Sequence, residues 1–216
     1  MKNKLLKKIR TENGVVIVEA TLVFPVVFFV LFFLIFFGSA MYEKAKVDSY
    51  VMKKAVLGAQ CVTDPYQYDM YVTGNIPTEY TNVEPYRYFI GGMGDIEDKI
   101  SKDVKKYFAD TSSTFFVDMA PKITSSKGKI ANFNNHLLYS TFSVEVSYSV
   151  KFPINFLGDN TPTILKCNSR AEVSVNDTPE FIRNIDMIED IFGESKEVKM
   201  IKSAFDKINT FIGKFS

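Results

Sequence analysis

VVIVEATLVFPVVFFVLFFLIFFGSA, Val15 to Ala40, is the longest apolar run of the chain and carries a single charge, Glu19. At about 1.5 Å of rise per residue, such a run crosses a hydrocarbon core of about 30 Å as one helix. Upstream of it, Lys2, Lys4, Lys7, Lys8 and Arg10 meet one acid, Glu12. That excess of cations is the cytoplasmic flank of the positive-inside rule, so the chain after Ala40 is expected to be extracytoplasmic. A secretory signal peptide ending at the small residues Gly38-Ser39-Ala40 is the rival reading. Its apolar core would be nearly twice the usual length, and Glu19 would have no purpose within it.

Outward from this run, residues 41–60 contain no proline and no glycine before Gly58. Small or apolar residues at Met41, Ala45, Met52, Ala55, Val56 and Ala59 recur near a helical period, with Glu43, Lys44, Lys46, Asp48, Lys53 and Lys54 between them. The spacing predicts that the membrane helix continues as an amphipathic rod to about Gln60, some 70 Å in all. Cys61 to Met93, rich in Tyr, Pro, Asn and Thr, reads as a long connecting loop. Asp95 is then placed to cap a helix whose Ile96, Ile100, Val104 and Phe108 follow at four-residue steps.

Two strands follow. Phe142, Val144, Val146, Tyr148, Val150 and Phe152 alternate with polar residues, as do Leu165, Cys167, Ala171, Val173 and Val175. Pro153 to Pro162 supplies the turn between them, and a weaker strand is expected near Lys129 to Tyr139. An antiparallel sheet with one buried face needs a helical cover. In the tail, Thr178 caps a helix with Pro179 in its first turn and Ile182, Ile185, Ile188 and Phe192 as its stripe. Beyond Gly193, Val198, Ile201, Phe205, Ile208, Ile212 and Phe215 form a heptad-like seam that suits docking against the core or a partner. The fold class is therefore α+β: a long, partly transmembrane N-terminal helix, a small antiparallel sheet and C-terminal amphipathic helices. Four regions are expected: a basic leader (1–14), the long helix (15–60), an exported α+β domain (61–178) and C-terminal helices packing on it (179–216).

The 216 residues carry a net charge of +1, so no global field points to nucleic acid. One histidine, His136, and two cysteines offer no metal or nucleophile spacing, and no cofactor motif is present. Ser126-Lys127-Gly128-Lys129 fits S-x-x-K only by letter, and Gly91-Gly92-Met93-Gly94 lacks the Lys-Ser/Thr of a phosphate loop. Asp95, Glu97 and Asp98 are acids of a first helical turn, explained by the dipole without a calcium ion. A non-enzymatic role is the expectation. Cys61 ends the predicted helix and Cys167 faces the apolar side of a strand. A disulfide between them would close about 100 residues and contribute roughly 4 kcal/mol. Two separate buried thiols fit the same positions, and both alternatives stay open.

A carboxylate one turn inside an apolar span calls for a partner. If the chain is cut after Gly14, the new amine of Val15 lies one helical turn from Glu19, where it can pair with that carboxylate or with one on a neighbouring subunit. The basic leader, Gly14, the run Val15-Val16-Ile17-Val18-Glu19 and Pro25 within the apolar helix together resemble type IV prepilins. They are most similar to TadE-like pseudopilins of tight-adherence pilus systems. The resemblance implies cleavage after Gly14 by a prepilin peptidase, and assembly through the N-terminal helix, with Glu19 and Pro25 as assembly residues. The implied partners are other pilin subunits, an inner-membrane assembly platform and the lipid bilayer. Val15 stands where many type IV pilins have Phe, and the chain is larger than a major tight-adherence pilin. Both departures suit a minor, tip or priming subunit. The alternative is a single-pass anchored extracellular adhesin or envelope binding module that never leaves the bilayer.

Overall fold

The computed structural model describes residues 12–78, 85–90, 93–112, 119–124, 129–136, 139–151 and 164–192, with single positions at 200 and 203. Its elements run α1 (Glu12–Thr63), α2 (Gln67–Thr73), α3 (Arg87–Ile90), α4 (Gly94–Asp110), β1 (Lys122–Ile123), β2 (Ala131–Asn135), β3 (Ser140–Lys151), β4 (Ile164–Val175) and α5 (Thr178–Phe192). The architecture is α+β, as the sequence predicts: a long apolar helix, a small antiparallel sheet and a C-terminal helix. The chain divides into two compact units. The first comprises Met1–Val47, Thr111–Lys122 and Tyr148–Cys167, the second Asp48–Asp110, Ile123–Ser147 and Asn168–Ser216.

In the first unit, α1 is apolar and fully exposed from Val18 to Ile35, then buries Phe36, Ser39, Glu43 and Val47 at steps of three and four. Pro25 sits inside the helix without ending it. Met119, Tyr148 and Val150 are the other buried side chains of note in this unit.

In the second unit, α1 continues the same rhythm through Val51, Lys54, Ala55, Gly58 and Val62. The expected period is right and its phase is not. Met41, Ala45 and Met52 lie outward, while Glu43 and Lys54, assigned to the polar side, are 1% and 2% exposed. An apolar count cannot anticipate a lysine that is buried because an aspartate meets it. Where α1 crosses the sheet, a Cβ on Gly58 would lie 2.1 Å from Cε1 of Phe142, so only glycine permits this approach.

The loop expected over 61–93 is corrected by the structure. The helix runs on to Thr63 and stops because Pro65 cannot donate a hydrogen bond and disfavours helical geometry at Asp64. Asp64 Oδ1 then accepts the amide of Tyr66 at 3.0 Å, an Asx turn that launches α2. Gly74, at φ 71°, ends α2 by donating its amide to the carbonyl of Met70. Asp95 is not a cap either: α4 begins at Gly94, and the amides of Ile96 and Glu97 bond to the carbonyl of Met93.

β3 is the strand with which β1, β2 and β4 all pair. β2 joins it antiparallel from Ala131↔Val144 to Asn135↔Ser140, which trims the expected 129–139 strand to five residues. The predicted alternation holds from Glu145 to Lys151, but Ser140 through Val144 are buried on both faces. Small hydroxyls make that tolerable, since Ser140 donates to Asn135 Oδ1 and Thr141 to Glu172 Oε1. Along β4 the even positions are outward, as expected, and Ser169 is its most buried residue. Helix α5 buries Glu180 and Asn184 and leaves Ile182 at 53% exposure, so its inner face is rotated from the predicted isoleucine stripe. The turn at 153–162, the glycines at 91–92, the 126–128 loop and the 198–215 seam, apart from positions 200 and 203, lie outside the described side chains.

Candidate functional site

The apolar half of α1 is the most unusual surface of the molecule. It is the one helix among the described residues long and apolar enough to cross a membrane. Val18, Leu22, Val23 and Phe24 are 57%, 67%, 58% and 71% exposed, a state water strongly disfavours for a continuous run. Phenylalanines stack along it at four-residue steps, with ring centroids 6.2 Å apart for Phe24–Phe28, 4.5 Å for Phe28–Phe32 and 6.2 Å for Phe32–Phe36. The rings make a continuous aromatic ridge along this face.

Glu19 is exposed on this surface. The bond between Gly14 and Val15 lies within α1, close to where the described residues begin. Val15 and Glu19 are one turn apart in a continuous helix. At Pro25 the helix forgoes one backbone hydrogen bond. One turn earlier, the Thr21 hydroxyl donates to the carbonyl of Val18 at 2.8 Å.

Cys61 is a buried free thiol, pushed up to about 11 by burial, which makes it a poor nucleophile. Cys167 is a half-buried free thiol. His136 is exposed and stacks on Tyr139 with centroids 4.7 Å apart.

In the second unit, sequence reasoning missed a polar cluster on the inner face of α1. Lys54 Nζ donates to Asp103 Oδ2 at 2.6 Å with 3% of its side chain exposed, and lies 4.7 Å from the ring centroid of Tyr71. Tyr68 donates to Asp103 Oδ1 at 3.1 Å, and Tyr50 to the backbone carbonyl of Asp103 at 3.3 Å. Tyr50 also stacks on Tyr107, centroids 3.6 Å apart. Burial, aided by the Asp103 charge, pushes the Tyr68 hydroxyl up to about 12 and that of Tyr50 further in the same direction. The available signal was the density of tyrosines around positions 50, 66–71 and 107.

A second cluster closes the end of α1. Tyr86 takes a left-handed φ of 59°, an uncommon state for a bulky residue, immediately before Arg87. Arg87 donates to the carbonyl of Thr63, one of the helix's terminal acceptors, at 2.8 Å and forms an ion pair with Asp177. Tyr88 donates to the same carboxylate at 2.8 Å, and burial raises its hydroxyl well above the usual range. Asp177 Oδ1 accepts the amide of Glu180 at 3.2 Å and so caps α5, the role expected of Thr178, which instead is the first helical residue. A cavity of about 590 Å³ lies beside Arg87, Asp177, Thr178 and Arg183. Each guanidinium in its wall is already matched by a carboxylate, Asp177 for Arg87 and Glu180 for Arg183.

Residues 14–53 match the family of TadE-like proteins. No curated protein and no solved structure matches the chain. The matched stretch contains Gly14, Val15, Glu19 and Pro25, the residues on which the pilin-like resemblance rests, and ends near the start of the tyrosine cluster.

Proposed function

Taking the TadE-like match over 14–53 as premise, we propose that this protein is a structural, non-enzymatic subunit of a tight-adherence or related type IV-like pilus or secretion assembly. A prepilin peptidase cuts after Gly14, and α1 serves first as a single-pass anchor and then as the element that packs among other subunits. The N-terminus is cytoplasmic before cleavage, and the residues after about 40 are extracytoplasmic. An inner-membrane platform moves the subunit out of the bilayer. Its size suits a minor, tip or priming position.

The observation that carries this reading is Glu19, an exposed carboxylate one turn from the new N-terminus on an otherwise apolar surface. In lipid or between packed helices, an isolated carboxylate is strongly disfavoured, whereas one paired with an amine has a partner in a single axial register. Glu19→Gln keeps the size and removes the charge. The expected result is normal membrane insertion with loss of assembled subunit, measured by shearing surface fibres from cells and quantifying the protein in each fraction. Unchanged assembly would reject the charge-pairing account.

A further inference from the structure

Helices held together by apolar contact alone can slide or rotate by a turn at little cost, because one leucine-like surface resembles the next. The contact between α1 and α4 has a feature that does not permit this. Lys54 and Asp103 pair at 2.6 Å, and one turn away on each helix Tyr50 stacks on Tyr107. Moving back four residues on α1 moves forward four on α4, so the two helices run antiparallel here.

The neighbours of the pair decide what a slip would do. Displacing α4 by three or four residues would bring Lys99, Ile100, Lys106 or Tyr107 opposite the Lys54 ammonium, and none is an anion. Displacing α1 by the same amount would bring Tyr50, Val51, Leu57 or Gly58 opposite Asp103, and none is a cation. In every alternative a lysine with 3% of its side chain exposed loses its counterion. Asp103 also anchors α2 through Tyr68, which ties a third element to the same position.

We propose that the Lys54–Asp103 pair is a register lock between α1 and α4, specifying one alignment of the two helices rather than adding to their stability. Buried ion pairs commonly behave this way: the desolvation of both charges offsets their attraction, so apolar replacements of similar volume leave stability unchanged or raised while the uniqueness of the arrangement falls. Tyr50, Tyr68 and Tyr71 supply the surrounding hydrogen bonds and ring faces that make the charged state tolerable. The lock is measured within one chain and does not depend on the pilin-like reading.

The test uses full-length protein in detergent with Cys61→Ala and Cys167→Ser, and spin labels on Gln60→Cys and Lys106→Cys, both exposed positions outside the pair and offset by about 13 Å along the helix axes. With Lys54 and Asp103 present, pulsed electron resonance should give one narrow distance. In the Lys54→Met/Asp103→Leu variant the thermal midpoint should stay or rise, while a second distance appears, displaced by several Å, the part of a one-turn slip of about 5 Å that lies along the line between the labels. A single narrow distance in that variant would overturn the proposal. So would a lowered midpoint, which would make the pair a stabilising contact. Loss of assembly without a second distance would also refute the lock, while leaving the pilin-like reading in place.

Discussion

The two halves of α1 solve opposite problems with one helix. From Val18 to Ile35 it is apolar all round and exposed all round, and its sole charge, Glu19, lies at the start. From Asp48 to Thr63 it is charged on one side and buried on the other, with Val51, Ala55, Gly58 and Val62 inward. Among the described residues the first half is exposed along its whole length, a surface compatible with a single-pass membrane anchor. The second half is specified by packing within its own unit. A substitution should therefore report which half it falls in.

The largest expected effects separate the halves. Val51→Asp places a carboxylate at a position with no solvent exposure and should cost more than about 3 kcal/mol, collapsing the thermal transition while membrane insertion persists. Leu31→Arg, in the exposed apolar half, should leave that transition intact and instead oppose insertion by about 3 kcal/mol, seen as protein lost from the membrane fraction. If both variants failed in the same assay, the division of labour would be wrong.

A smaller effect sharpens the packed half. Gly58→Ala forces a methyl against the Phe142 ring and should cost about 1–3 kcal/mol in chemical denaturation. Phe142→Leu should recover part of that loss in the double variant, because the interfering atoms belong to the ring.

Smaller again is an alkaline effect confined to the second unit. The Tyr68 hydroxyl moves from its ordinary 10 to about 12 in the folded chain, and burial raises Tyr50 and Tyr88 in the same direction. A raised folded value means that the native state holds the proton more tightly. The contribution is therefore complete below pH 10 and is lost as pH rises towards 12. Denaturation midpoints measured across that interval should fall in the parent protein and fall less in Tyr68→Phe.

What was legible in the sequence follows from which physics leaves a pattern. The membrane-length run, the strands 140–151 and 164–175 and the start of the last helix rest on local periodicity and turn chemistry, and each left its mark, although the cap is Asp177 and Thr178 is already helical. The phase of α1 left no such mark, because Lys54 is buried against a partner that lies elsewhere in the chain. Asp103 is 49 residues from Lys54, and no local count associates them. The end of α1 was misjudged by three residues for a related reason: the loop-like composition after Cys61 drew attention away from the break that Asp64 and Pro65 encode. Of the candidate site, Glu19 and Pro25 were conspicuous as a charge and a proline in an apolar run, and the roles of Gly14, Val15, Glu19 and Pro25 belong to the proposal. The Arg87–Asp177 clasp, joining residues 90 apart, was not conspicuous.

The central claim, that the apolar half of α1 is a processed assembly element, is tested most directly by the N-terminal residue of the mature protein. Mass spectrometry of protein from cells that carry the full assembly machinery, with and without the prepilin peptidase, decides it. A mature chain beginning at Val15 only when the peptidase is present is the predicted result. A chain that still begins at Met1 in both would contradict the account and leave an uncleaved single-pass anchor.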